Sequence, residues 1–236
     1  MQLIYEQIIE NILNKYIKSS EFGVHSKSDS CVEVEDIGEY IFNCRQAEDE
    51  LVKGLWVSTG ATKMVIGSDE LEYVLKVPFQ GCWWGEYSED DNGEEFSERC
   101  FSDFCYNDYC YIETEVYERA KKYGVEAIFA KVEFVKDLEC GIPVYRQPRA
   151  VSSYRTGGST TPSKAAISYA EAHRYETPFK IHWSAQVIEA YGQDFFDKLI
   201  QFLGNDDFAG NDLHDGNYGY TPEGLPIIMD YAGYFE

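Results

Sequence analysis

The sequence predicts an α+β protein, strand-rich through the middle of the chain and helical toward its end. Three observations lead there. Between residues 51 and 78, apolar and β-branched residues come in short runs separated by small-residue turns, the texture of consecutive strands. Segments 127–135 and 142–147 repeat that texture on either side of a Gly141-Ile142-Pro143 turn. Segments 112–123, 167–175 and 184–203 instead read as helices.

Composition narrows the class. The chain has 236 residues, and 20 basic against 42 acidic side chains leave a net charge of −22. With 44% hydrophobic and 16% aromatic residues it can bury a core, so wholesale disorder is excluded. No apolar run approaches the roughly 20 residues that span a bilayer. The start, Met1-Gln2-Leu3-Ile4-Tyr5-Glu6, has no basic segment leading into an apolar one, and a cytoplasmic protein is expected. So negative a chain is repelled by nucleic acid and by anionic membrane, which argues against binding either directly. It leaves open an acidic protein that imitates nucleic acid toward a basic partner. The seven cysteines form no CxxC pair, so reduced thiols are expected rather than structural zinc.

In chain order, residues 2–17 place Leu3, Ile4, Ile8, Ile9, Ile12, Leu13 and Tyr16 at helical spacing, and 36–44 do the same with Ile37, Tyr40, Ile41 and Cys44. Residues 1–50 are therefore expected to be a helical extension. Within 51–147, three strands joined by short turns predict an antiparallel meander, the third ending at Pro78. A loop is expected from 80 to 109. Residues 81–110 are an acidic insertion, with nine acids and the single base Arg99. Helix 112–123 and the two later strands complete a five-stranded segment. Residues 148–236 form the helical remainder. Between Cys140 and Ala170 there is no acid, while Arg146, Arg149, Arg155 and Lys164 are basic. The Ser-, Thr- and Gly-rich stretch 152–163 inside it reads as a mobile loop.

The chemistry gathers near the end. Asp212-Leu213-His214-Asp215-Gly216-Asn217 precedes a turn at Pro222-Glu223-Gly224 and an apolar strand leading to Asp230. Such a hairpin returns Asp230 to Asn217, and two oxygen donors there, with Asp212 nearby, suit Mg²⁺ shared with phosphates. An EF-hand is excluded because Leu213 takes a ligand position before Gly216.

This spacing resembles the catalytic core of the protein-kinase-like fold, in its aminoglycoside-phosphotransferase and small-molecule-kinase branch, where the loop reads D-x-H-x-G-N. The resemblance implies a two-lobed fold with an antiparallel five-stranded N-lobe and a shortened helical C-lobe. It implies ATP and Mg²⁺ as ligands, with Asp212 orienting or deprotonating the acceptor hydroxyl and Asn217 and Asp230 holding metal. Val74-Leu75-Lys76-Val77 resembles the V-A-I-K strand, making Lys76 the residue for the α- and β-phosphates. A lysine in an apolar strand needs a carboxylate. Glu113 matches the branch's helix glutamate, with Tyr117, Ala120, Gly124 and Val125 at the family's downstream positions; Glu115 is the alternative. Gly60, Ala61 and Thr62 stand where the glycine-rich phosphate loop belongs, without a Walker A pattern, and Gln147 and Pro148 where the adenine hinge would lie. The chain departs from the pattern at Gly210, where His or Tyr usually begins the catalytic loop, and at Ala232, which replaces the D-F-G glycine. The sequence ends six residues after Asp230, without the platform on which kinases dock peptides. Small kinase-like proteins with D-L-H-x-G-N and I-x-D-Y also resemble reading frames carried by phages and prophages.

Two functions are therefore expected from different classes. One is a Mg-ATP phosphotransferase acting on a small molecule, on itself, or on an acceptor presented by a partner. The other is a binding protein on a degenerate kinase-like scaffold, engaging a basic protein partner. Two like charges ~4 Å apart repel by about 4 kcal/mol at an effective dielectric near 20. Nucleotide binding beside Asp212 and Asp230 is accordingly expected to need the divalent ion.

Overall fold

The computed structural model describes residues 7, 9–12, 14, 27–28, 31–32, 55–59, 63–69, 71–78, 83–89, 95–101, 106–107, 109–138, 143–153, 155, 158, 160–204 and 213–231. In chain order the strands are β1 (Lys27–Ser28), β2 (Cys31–Val32), β3 (Trp56–Thr59), β4 (Lys63–Gly67), β5 (Tyr73–Pro78), β6 (Trp83–Glu89), β7 (Glu95–Phe101), β8 (Tyr106–Asn107), β9 (Glu133–Asp137), β10 (Pro143–Pro148), β11 (Val151–Ser152), β12 (Tyr218–Tyr220) and β13 (Pro226–Ile228). The helices are α1 (Tyr109–Tyr123), α2 (Lys164–Ala172), α3 (Ile181–Tyr191) and α4 (Gln193–Leu203). Gln7, residues 9–12 and Asn14 are also helical, inside the expected 2–17 helix; the expected helix 36–44 lies outside the described residues. The protein is thus α+β, and no helix among the described residues is long and apolar enough to cross a membrane. The chain divides into two compact units, residues 1–110 with 134–146 and residues 111–133 with 147–236.

The first unit is built on a five-stranded antiparallel sheet in the order β3-β4-β5-β10-β9. The expected meander is there, with Val57 opposite Ile66 and Val65 opposite Lys76. Every residue of β5 is buried, so this strand is covered on both faces. That explains its continuous Tyr-Val-Leu-Lys-Val run in place of apolar-polar alternation. The expected loop 80–109 is corrected: β6 and β7 form an antiparallel hairpin from Trp83 opposite Phe101 to Glu89 opposite Glu95. Acid content had pointed to a solvated loop, but both segments hold aromatic residues, and Asn92-Gly93 between them is hairpin-turn chemistry.

In the second unit α1 buries Ile112, Val116 and Ala120, one residue per turn on one stripe. It stops at Gly124, whose φ of 70° and whose bond to the Lys121 carbonyl, with Val125 N–H on Ala120 O at 3.1 Å, make a left-handed cap. The strand expected at 127–135 begins only at Glu133. Residues 126–128 close a 3-10 turn, and Phe129 bridges to Ile228 in parallel, drawing this segment away from a continuous strand. Helix α2 starts three residues before the expected 167 because Ser163 caps it, accepting Ala166 N–H at 3.2 Å.

The single helix expected over 184–203 is two. Gly192, at φ 92° and ψ 162°, ends α3 and begins α4, in a region of backbone space that side chains with a Cβ avoid. The break lets α4 bury Phe196, Leu199, Phe202 and Leu203 while α3 buries Trp183 to Ile188. Gly192→Ala is expected to lower stability by about 1–3 kcal/mol, read from the urea midpoint at unchanged slope. An unshifted midpoint would show that the break tolerates a side chain.

Candidate functional site

Leu213, 1% exposed, anchors the start of the C-terminal constellation. The chain then turns tightly: Asn217 N–H donates to His214 O at 2.9 Å, and Gly216 N–H donates to His214 Nδ1 at 3.0 Å. Strands β12 and β13 follow as an antiparallel hairpin with Tyr218 opposite Ile228. Its turn is the expected one, closed by Thr221 N–H on Leu225 O at 2.8 Å with Gly224 at φ 86°. At the open end the Asn217 carbonyl accepts two amides, Met229 N–H at 2.8 Å and Asp230 N–H at 3.1 Å. Asn217 and Asp230 therefore occupy neighbouring backbone positions, and both are half-buried. An amide oxygen and a carboxylate are hard donors, which fit Mg²⁺ better than a soft metal.

A second layer of contacts holds this loop from behind. β11 pairs with β12, Ser152 opposite Gly219, and a Cβ on Gly219 would stand 1.9 Å from the Val151 carbonyl oxygen. Only glycine admits that approach. After β11 the chain turns, with Arg155 N–H on Ser152 O at 2.9 Å. The turn lets two successive hydroxyls reach one acceptor: Ser152 Oγ and Ser153 Oγ donate to the Asp215 carbonyl at 2.8 and 3.0 Å. Both lone pairs of that oxygen are then used. Lys180 Nζ pairs with the Asp215 carboxylate and holds its pKa below the usual value. This pair is exposed and adds little stability, so the hydroxyls dominate. The stretch expected to be a mobile loop is in this part a brace.

Glu113 is fully buried on α1, and its Oε1 accepts the Tyr231 N–H at 3.4 Å. Tyr231 is buried too, donates its hydroxyl to Ala130 O at 2.8 Å, and packs edge-on against Phe129 at 5.1 Å. Burial first, and the Glu113 charge second, push its phenol well above the ordinary pKa. Gln147 is 2% exposed, and its amide nitrogen donates to Ala130 O at 2.9 Å and Met229 O at 2.8 Å. Its side chain thus braces the segment before Asp230. Pro148 is exposed at the end of β10.

Glu113, Gln147, Pro148, Asn217 and Asp230 all belong to the second unit; Lys76, 2% exposed in β5, belongs to the first. Asp212, Gly60, Ala61 and Thr62 lie outside the described residues, as do Gly210 and Ala232. No group of three or more His, Cys, Asp or Glu able to hold a metal occurs among the described residues; the candidate pair, one Asn and one Asp, is not of that kind. Sequence reasoning did not anticipate the contacts of Ser152, Ser153, Lys180 and Asp215, which lie in segments 27 or more residues apart. Lys63, which ends the turn that the sequence placed at the phosphate-loop position, is 3% exposed in β4. No family model and no curated protein sequence matches this chain.

Two outcomes follow from these contacts. The double variant Ser152→Ala/Ser153→Ala should lose about 1–3 kcal/mol of unfolding free energy, measured by urea titration; equality with the parent would mean the brace carries no load. Gln147→Glu should have a pH-dependent cost. Burial beside two carbonyl oxygens raises the folded pKa of the new carboxyl above its unfolded value near 4.3. The ionisation penalty is absent below that value and grows as pH rises toward the folded pKa. Its stability gap from the parent should therefore widen between pH 4 and pH 7; parallel profiles would exclude the placement.

Proposed function

We propose that the protein is a Mg-ATP-dependent, kinase-like phosphotransferase. The observation that carries this reading is the Asn217 carbonyl holding the Met229 and Asp230 amides, which keeps two hard-oxygen side chains at neighbouring positions on a braced hairpin. The five-stranded sheet with a fully buried lysine in its third strand, and the buried helix glutamate Glu113, support it. Neither is a side chain that proteins readily bury.

In this reading Asn217 and Asp230 hold Mg²⁺, Lys76 holds the α- and β-phosphates, and Glu113 has the part of the helix glutamate in the family pattern. Asp212 orients or deprotonates the acceptor hydroxyl. Magnesium, when bound, neutralises phosphate charge. The remaining work is positioning, for which a loop tied by the Ser152 and Ser153 hydroxyls is suited. The acceptor is a small molecule, the chain itself, or a group presented by a partner.

A second reading has its own observation. The β6–β7 register sets Glu86 opposite Glu98 and Glu89 opposite Glu95, gathering acidic positions on one hairpin of a chain of net charge −22. A basic partner protein would complement that charge, as expected of a catalytically weak kinase-like binding protein. Steep salt dependence of partner capture, unchanged by Lys76→Ala, would favour it.

The deciding measurement is thermal unfolding with ATP, with and without Mg²⁺. Millimolar ATP should raise Tm only when Mg²⁺ is present, and Asp230→Asn should abolish the shift; an unmoved Tm in the parent protein would end the nucleotide reading. Transfer of label from γ-phosphate-labelled ATP, lost in Asp212→Ala, then separates enzyme from binder.

A further inference from the structure

We infer that Arg155, Lys180 and His214 form an oxyanion-binding rim on the second unit, and that the acceptor is a hydroxylated small molecule carrying a carboxylate or a phosphate. The inference rests on the proposed phosphotransferase reading and names its acceptor class. Three segments meet at Asp215. Ser152 and Ser153 donate to its carbonyl, and the turn that follows them, with Arg155 N–H on Ser152 O at 2.9 Å, brings Arg155 to the same loop. Lys180 pairs with the Asp215 carboxylate, and its backbone N–H donates to the Tyr218 hydroxyl at 3.2 Å. His214 directly precedes Asp215. Arg155, Lys180 and His214 are all exposed.

Two of these donors are open. Among the described residues no hydrogen bond or ion pair holds the Arg155 guanidinium. His214 Nδ1 accepts the Gly216 N–H at 3.0 Å, so the neutral ring carries its proton on Nε2 and keeps that N–H as a donor. A Cβ on Gly216 would stand 2.7 Å from His214 Cε1, so glycine is what lets the ring lie against the chain. Lys180 is the N-cap residue of α3, where its side chain makes no cap bond and a cation opposes the helix dipole. Helix stability therefore does not account for a lysine at this position. Asp215 offsets one of the two full charges, which leaves the rim positive, and the stretch between Cys140 and Ala170 adds no acid. Distant acids of this −22 chain weigh little there, because exposed charges are screened beyond about 8 Å at physiological salt.

An arginine fork beside an ammonium group suits the oxygens of a carboxylate or phosphate, and it repels a cationic amino sugar. The His214 carbonyl accepts the Asn217 N–H at 2.9 Å, which sets the rim beside one of the two residues proposed to hold Mg²⁺. In the transfer the acceptor hydroxyl oxygen bonds to the γ-phosphorus, the phosphorus–oxygen bond to ADP breaks, and the hydroxyl proton passes to Asp212. The rim selects the acceptor and takes no part in those bonds.

The test is an NMR titration of the full chain at fixed pH and ionic strength, following the His214 ring signal, identified by its loss in His214→Gln. Inorganic phosphate, malonate and kanamycin are the probes. Phosphate or malonate should shift the signal saturably, and kanamycin should not. Arg155→Gln and Lys180→Gln, both at exposed positions, should each weaken the anion at least fivefold, while Arg155→Lys recovers part of the loss. Saturation by phosphate alone points to a phosphorylated acceptor, by malonate alone to a carboxylic one, and by both to the shared oxyanion chemistry. No saturable shift with either anion, undiminished affinity in both Gln variants, or a saturable shift with kanamycin overturns the rim. If Mg-ATP still raises Tm in that case, the phosphotransferase reading stands without it. Saturable anion binding in a protein whose Tm Mg-ATP does not move overturns the acceptor role together with the phosphotransferase reading.

Discussion

One backbone oxygen in the second unit fixes the open end of the β12–β13 hairpin. The Asn217 carbonyl accepts both the Met229 and the Asp230 amides, and this fork ends the β12–β13 ladder at the place where the Asn217 and Asp230 side chains emerge. A hairpin of three paired residues is marginal by itself. It persists here because β11 adds a third strand and because aromatic residues cover it. Trp183 packs on Tyr218 with ring centres 4.6 Å apart and donates its indole N–H to Gly219 O at 3.0 Å. Tyr191 reaches the Pro226 carbonyl at 2.9 Å from the far end of α3.

Polar groups in this interior are placed in chains of satisfied hydrogen bonds. Tyr220 donates to Gln186 Oε1 at 2.5 Å, and Gln186 donates onward to Thr160 O at 2.6 Å. Gln147 ties Ala130 to Met229, and Tyr231 returns to the same Ala130 carbonyl. Each link joins segments distant in sequence, so the segment carrying Asp230 is held from several directions at once. A buried amide or hydroxyl without a partner costs more than a satisfied one contributes, which makes such networks specific about which geometry they permit. Among the described residues Ser184 Oγ is the exception, buried with no hydrogen-bond partner, and nothing in the structure explains it.

Charge is distributed with similar economy. The chain is strongly acidic, yet β4 and β5 each bury a lysine, and the acid-free stretch after β10 supplies the brace on the Asp215 carbonyl. Acids instead concentrate on the β6–β7 hairpin, where strand pairing sets glutamates opposite one another. A lysine buried in β5 and acids gathered on a separate hairpin suit the two proposed functions, a phosphate-binding cation in one case and a docking element in the other.

What the amino-acid sequence determined by itself was local and periodic. Strands β3, β4 and β5 are legible because small-residue turns punctuate β-branched runs, α1 because Ile112, Val116 and Ala120 recur at helical spacing, and the β12–β13 hairpin because Pro222-Glu223-Gly224 is turn chemistry before an apolar strand. The β6–β7 hairpin was misread because charge and strand pairing are separate properties, and counting acids speaks only to the first. The two-helix break at Gly192 needed a dihedral angle that many glycines in helical patterns never adopt. Tertiary structure alone decided that Ser152 and Ser153 hold the Asp215 carbonyl, that Gln147 braces Met229, and that Glu113 takes the Tyr231 amide. Those contacts span 62 to 118 residues. No local spacing encodes them, because a buried polar group takes whichever partner the packed chain brings within hydrogen-bond reach.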